Sequence, residues 1–120
     1  MNYTILIYET PVDFAARNDP DPKKMEAYWA AWPRYTQALK DAGVFAGGAG
    51  LQLPETATTL KFRDGQRLVQ DGPYADTKEQ LGGFFMIDVP NLDTALDWAA
   101  RCPSSPGRVF EVRPNLVPPS

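Results

Sequence analysis

The sequence predicts an α+β fold, and three observations lead there. Short β-branched and aromatic runs recur along the chain, two longer segments repeat apolar residues at helical spacing, and an Asp-Gly pair separates two alternating runs. The chain has 120 residues, 43% of them hydrophobic and 12% aromatic, enough to fill one core. A single domain over residues 1–120 is therefore expected, with a proline-rich tail from about residue 114.

The first run, Tyr3-Thr4-Ile5-Leu6-Ile7-Tyr8, has little polarity and reads as a central strand covered on both faces. A polar stretch rich in Asp and Pro follows. Asp21-Pro22 supplies an N-cap and first-turn proline, and Met25, Tyr28, Trp29, Trp32, Tyr35, Thr36 and Leu39 recur at helical spacing before Gly43. The spacing predicts a helix over 22–42. Pro33 inside it predicts a kink near Arg34 or two abutting helices.

Val44 to Leu51 reads as a strand whose glycines permit close backbone approach or a bulge. Thr58 to Phe62 and Leu68 to Gln70 flank Arg63-Asp64-Gly65-Gln66, a strong hairpin signal. Gly82 to Val89 predicts a further strand, ended by Pro90. Asn91 is placed to cap a helix with apolar residues at Leu92, Ala95, Leu96, Ala99 and Ala100, stopped by Pro103, and Val109 to Arg113 alternates as a last strand. Two strand-helix-strand halves with antiparallel pairing make the ferredoxin-like plan: two main helices on one face and a β-hairpin inserted between the halves. The uncovered sheet face predicts a homodimer with the sheets facing each other.

Composition excludes several function classes. The net charge is −3 and the basic residues are scattered, so nucleic acid is not an expected partner. The longest apolar runs fall far short of the roughly 20 residues that cross a bilayer, so no membrane association is expected. The chain opens directly into a strand-like run without a basic leader, which reads as cytoplasmic. A lone cysteine, Cys102, fits a reducing compartment and is expected to be inert, though a reactive thiol at a helix end is the alternative. With no histidine, a Ser-His-Asp triad, a Cys-His dyad and a histidine-based zinc site are all excluded. No phosphate-loop or dinucleotide spacing occurs among the glycines, and neither a metal nor a cofactor is expected.

The run Asp71-Gly72-Pro73-Tyr74-Ala75-Asp76-Thr77-Lys78-Glu79-Gln80-Leu81-Gly82-Gly83 closely resembles the signature of the DGPF subgroup of YCII-related proteins. The likeness extends through Phe84 to Pro90, Leu92 to Pro103 and Glu111 to Pro114. It also reaches back to Ala42-Gly43-Val44 and Gly47-Gly48, leaving out the stretch from Pro11 to Lys24. The resemblance implies a ferredoxin-like fold of the dimeric α/β barrel type with a polar pocket, and a biochemical role largely unassigned. It also implies frequent genomic proximity to extracytoplasmic-function sigma factors. Tyr74 departs from the subgroup's usual Phe. The first-helix histidine suggested to pair with an aspartate in the wider family has no counterpart here, where the region near Trp32 offers only Trp, Tyr and Arg.

Asp71 is the candidate catalytic carboxylate, suited to proton transfer if it projects among apolar rings; its alternative is a turn residue bonding backbone amides. Tyr74, Lys78, Gly82, Trp32 and Arg113 are the candidate ligand-binding residues. All but Tyr74 have a structural alternative. Asp76 or Thr77 would cap a short helical turn before an exposed Lys78. Gly82 and Gly83 would mark a bulge, Trp29, Trp32 and Tyr35 would be core, and Arg113 would pair with Glu111 on the sheet or serve dimer packing. Two functions remain open: an enzyme using cofactor-independent acid–base chemistry on a small molecule, or a non-catalytic metabolite-binding or regulatory dimer, linked to sigma-factor-associated transcription control.

Overall fold

A computed structural model describes residues 1–119. The chain runs β1 (Asn2–Glu9), α1 (Pro11–Ala16), α2 (Pro22–Asp41), β2 (Phe45–Gly50), a 3-10 turn (Pro54–Thr56), β3 (Thr58–Arg63), β4 (Gln66–Asp71), β5 (Gln80–Asp88), α3 (Leu92–Ala100) and β6 (Val109–Pro114). Four strands form one antiparallel sheet in the order β2-β5-β1-β6, and among the described residues β3 pairs only with β4. This α+β order is compatible with a ferredoxin-like fold, with the hairpin inserted between the halves. The tail expected over 114–120 follows β6; Ser120 lies outside the described residues.

β1 lies in the middle of the sheet, but its two faces differ. Tyr3, Ile5, Ile7 and Glu9 are buried, while Thr4, Leu6 and Tyr8 are only half-buried. Paired residues share a face, so Ile87 joins the buried set with half-buried Phe85 and Val112 packed against it, and Phe84, Met86, Glu111 and Arg113 lie on the other side. Tyr35 and Leu39 of α2 and Ala95 and Ala99 of α3 close the core over the first face. Fully buried Ile5, Leu39 and Ile87 each contribute roughly 1.5–3 kcal/mol. The Tyr35 hydroxyl donates to the Trp98 carbonyl at 2.7 Å and ties the two helices together.

Several expectations need correcting. The polar stretch after β1, for which the sequence predicts no element, holds α1, because Thr10 and Asp13 form a reciprocal capping box in which each side chain accepts from the other's backbone N–H. α2 is one helix from Pro22 to Asp41 with Pro33 inside it, in place of the two abutting helices. β5 begins at Gln80, and no helical turn follows Asp76 or Thr77. Instead the Gln80 amide donates to the carbonyls of Ala75 and Thr77 at 2.7 and 2.9 Å, folding the loop against the strand entry. The hairpin turn follows its signal: Asp64 and Gly65 both take positive φ, as a type I′ turn requires.

Candidate functional site

β2 reads Phe-Ala-Gly-Gly-Ala-Gly, and its pairing with Phe85 and Gly83 turns Gly48 and Gly50 toward the helices. Those positions offer no side chain for α2 to pack on. The helix therefore stands off the sheet edge over a cleft of about 800 Å³, walled by Tyr28, Trp29, Trp32 and Lys40 on one side and by β2 and β5 on the other. Trp32 stacks on Phe85 with ring centres 6.4 Å apart. Trp29 is 49% exposed, yet its indole N–H donates to the Arg17 carbonyl at 2.9 Å and its ring meets Tyr28 edge-on at 5.1 Å. The exposed indole is thus held in place rather than free to swing.

The inner end of the cleft is ionic. Glu9 ends β1 at 2% exposure, on the helix-facing side that the strand's alternation dictates. One carboxylate oxygen accepts from Arg17 Nη2 at 3.1 Å; the other accepts from the Tyr28 hydroxyl at 3.0 Å and Arg108 Nη2 at 3.3 Å. Arg108 also reaches Asp13 at 3.2 Å, and Ser105 donates to the same Asp13 oxygen. Arg17 completes the clamp through the Tyr28 hydroxyl and the carbonyls of Gly82 and Leu51. Buried charges cost several kcal/mol each unless paired and hydrogen-bonded, and this cluster meets both conditions with two carboxylates and two guanidiniums. Among the described residues Arg108 Nε alone is left without a partner, beneath the rings of Trp32 and Tyr28.

Gly82 makes the cluster fit. The register of β1 against β5 slips between Ile7 and Tyr8, leaving Gly82 as the extra residue of a β-bulge, and a Cβ there would collide with the Glu9 carboxylate. Burial pushes the Tyr28 phenol above its ordinary range, against the pull of Arg17. Burial also draws the Arg17 guanidinium down, but Tyr28 and Glu9 outweigh it and hold the group above its usual value. Burial likewise raises the Cys102 thiol to about 11, so it stays protonated at neutral pH and offers no nucleophile. Among the described residues no group of three His, Cys, Asp or Glu is arranged to hold a metal ion. Among those residues no helix is long and apolar enough to cross a membrane.

Of the residues singled out from sequence, Trp32 and Gly82 line this cleft. Tyr74 is 80% exposed and borders a separate depression of about 540 Å³ between the base of the hairpin and Leu51–Pro54. Asp71 ends β4 opposite Thr58 on the exposed hairpin, and its carboxylate makes neither a hydrogen bond nor an ion pair among the described residues. Lys78 is exposed in the loop before β5. Arg113 sits on the opposite face of the sheet, paired with Glu111 at 2.6 Å. The sequence reading passed over Glu9, Asp13, Arg17, Tyr28 and Arg108 as site residues. Only the Thr10-x-x-Asp13 capping pattern signalled locally that this stretch was ordered.

Over 119 residues, 95% of this chain and 91% of the relative, the sequence is 38% identical to an uncharacterized protein of Rhizobium meliloti (strain 1021). The YCII-related domain matches residues 1–115, nearly the whole chain that builds the sheet, the cleft and the buried ionic cluster, and the protein belongs to the YCII-related domain family.

Proposed function

We propose that this YCII-related chain is a small-molecule-binding protein whose ligand occupies the cleft between α2 and the glycine-rich β2. The observation that carries the reading is the second half of β2: Gly48 and Gly50 at its helix-facing positions leave a concave space beside pinned aromatic rings. Binding without turnover is favoured over acid–base catalysis. Both oxygens of Glu9 already serve as acceptors for Arg17, Arg108 and Tyr28, and Asp71 stands in water rather than among apolar rings. Residues 1–120 are read as one functional unit, and the run from Asp71 to Gly83 supports membership of the DGPF subgroup.

Gly50 provides the test. A Cβ at this position meets nothing within 4 Å, and its backbone is not in the positive-φ region. Gly50→Phe should therefore fill the cleft and spare the fold. In a thermal-shift screen of metabolites, a ligand at 100 times its dissociation constant adds about 2.7 kcal/mol, or about 10 °C for a chain of this length. The shift should appear in the wild type and vanish in Gly50→Phe. Equal shifts in both proteins would reject the cleft as the binding place.

A two-fold dimer through the uncovered sheet face belongs to the same proposal, in keeping with the dimeric α/β barrel type. Leu6, Tyr8, Phe84 and Met86 lie half-buried on that face, and the hairpin adds Leu60, Phe62 and Val69 as an exposed apolar strip. A hairpin paired only with itself is marginally stable in water, which favours its packing against a second copy. Sedimentation should give twice the chain mass for the wild type and a monomer for Phe84→Arg; a monomeric wild type would refute the dimer.

A further inference from the structure

We propose that the ligand of the cleft is an organic anion carrying a planar aromatic ring, an inference that rests on the cleft reading above. The charge balance supports the sign. Glu9 and Asp13 are matched by Arg17 and Arg108 through ion pairs of 3.1 to 3.3 Å, so the buried cluster is neutral as a whole. Lys40 lines the same cleft and forms no ion pair among the described residues, with its ammonium 5.3 Å from the centre of the Phe45 ring. The cleft therefore presents one uncompensated positive charge in a chain whose net charge is −3.

The ring is supported by different residues. Trp29 is half exposed but locked by its bond to the Arg17 carbonyl, and a fixed exposed indole is a stacking surface that loses little entropy on binding. The facing wall at Gly48 and Gly50 is bare backbone, flat enough for a ring to approach. Trp29 and Lys40 stand eleven residues apart on α2, which returns them to within about 20° of the same helix face and separates them by about 16 Å along the axis. The flexible lysine stem shortens that span. An aromatic ring against Trp29 with its acidic group directed toward Lys40 satisfies both walls.

Three probes of one shape and different charge test the proposal: 2-naphthoate, 2-naphthalenemethanol and 2-naphthylmethylammonium, titrated by calorimetry against the full chain. At low salt 2-naphthoate should bind about three-fold tighter than the alcohol, and the ammonium compound weakest. Lys40→Gln should bring the acid and the alcohol to equal affinity, and Trp29→Ala should weaken all three. An unchanged melting temperature for Gly50→Phe assures that any loss is not unfolding. Equal affinities for all three probes, or tightest binding of the ammonium compound, with binding abolished by Gly50→Phe, would overturn the anion assignment and leave the cleft standing. Binding of none of the probes, or binding indifferent to Gly50→Phe, would overturn both.

Discussion

Removing one guanidinium from the buried cluster gives the most direct measure of how the cleft floor is held. Arg17→Met keeps an apolar stem against Phe14 and Tyr28 but deletes the donors to Glu9, Tyr28, Gly82 and Leu51. Breaking a buried ion pair costs about 3–5 kcal/mol, because the abandoned charge stays buried. Glu9 keeps Arg108 and the Tyr28 hydroxyl, and water can reach the freed oxygen through the cleft, so the lower end applies. About 3 kcal/mol corresponds to a fall of about 12 °C in melting temperature, given an unfolding entropy of about 0.25 kcal/mol/K for a chain of this length. Glu9→Gln strips the carboxylate from two guanidiniums at once and should cost more, toward about 5 kcal/mol. Because the two residues touch, the double variant should lose less than the sum of the singles, by about 1–3 kcal/mol. Differential scanning calorimetry of the four proteins decides the matter: single losses below about 4 °C, or additivity within about 0.5 kcal/mol, would show that the cluster is not the coupled unit described.

Three further outcomes follow from the same coordinates. Gly82→Ala drives a methyl group into the Glu9 carboxylate and should destabilise the protein by at least about 2 kcal/mol, while Gly65→Asn, at the positive-φ hairpin tip with open space around it, should change the unfolding free energy from denaturant titration by less than about 0.5 kcal/mol. Thr10→Ala removes one half of the α1 capping box and should cost about 1 kcal/mol, read as a shift of about 4 °C; no shift would mean that α1 does not depend on its cap. Burial raises the Cys102 thiol from 9.0 to about 11, so the folded chain holds that proton after the unfolded chain has released it. This contribution, up to about 3 kcal/mol, is present in full below pH 9 and is lost as pH rises toward 11. Tyr28 and Tyr35, both raised chiefly by burial, steepen the loss above pH 10. Urea midpoints for the wild type and Cys102→Ala should converge in slope below pH 9 and diverge above it. Parallel curves throughout would contradict the burial of the thiol.

The elements that sequence alone determined are those with a local physical cause. Apolar spacing marked α2 and α3, Asp21 and Asn91 announced their caps, and Asp64-Gly65 announced the hairpin turn, because each depends on neighbours within a few positions. From these the strand-helix-strand order and its antiparallel plan followed. Tertiary structure decided the site, for two reasons. Pairing fixes which face a residue occupies, and it sent Arg113 to the side away from the cleft while bringing Gly82 beneath Glu9. Burial of a charge is likewise a long-range event: Glu9 gains its place only when Arg17, eight residues on, and Arg108, ninety-nine residues on, arrive at the same carboxylate. The motif most visible in the chain, from Asp71 to Lys78, instead lies on the surface beside the hairpin, because nothing local in a sequence says whether a turn will be covered.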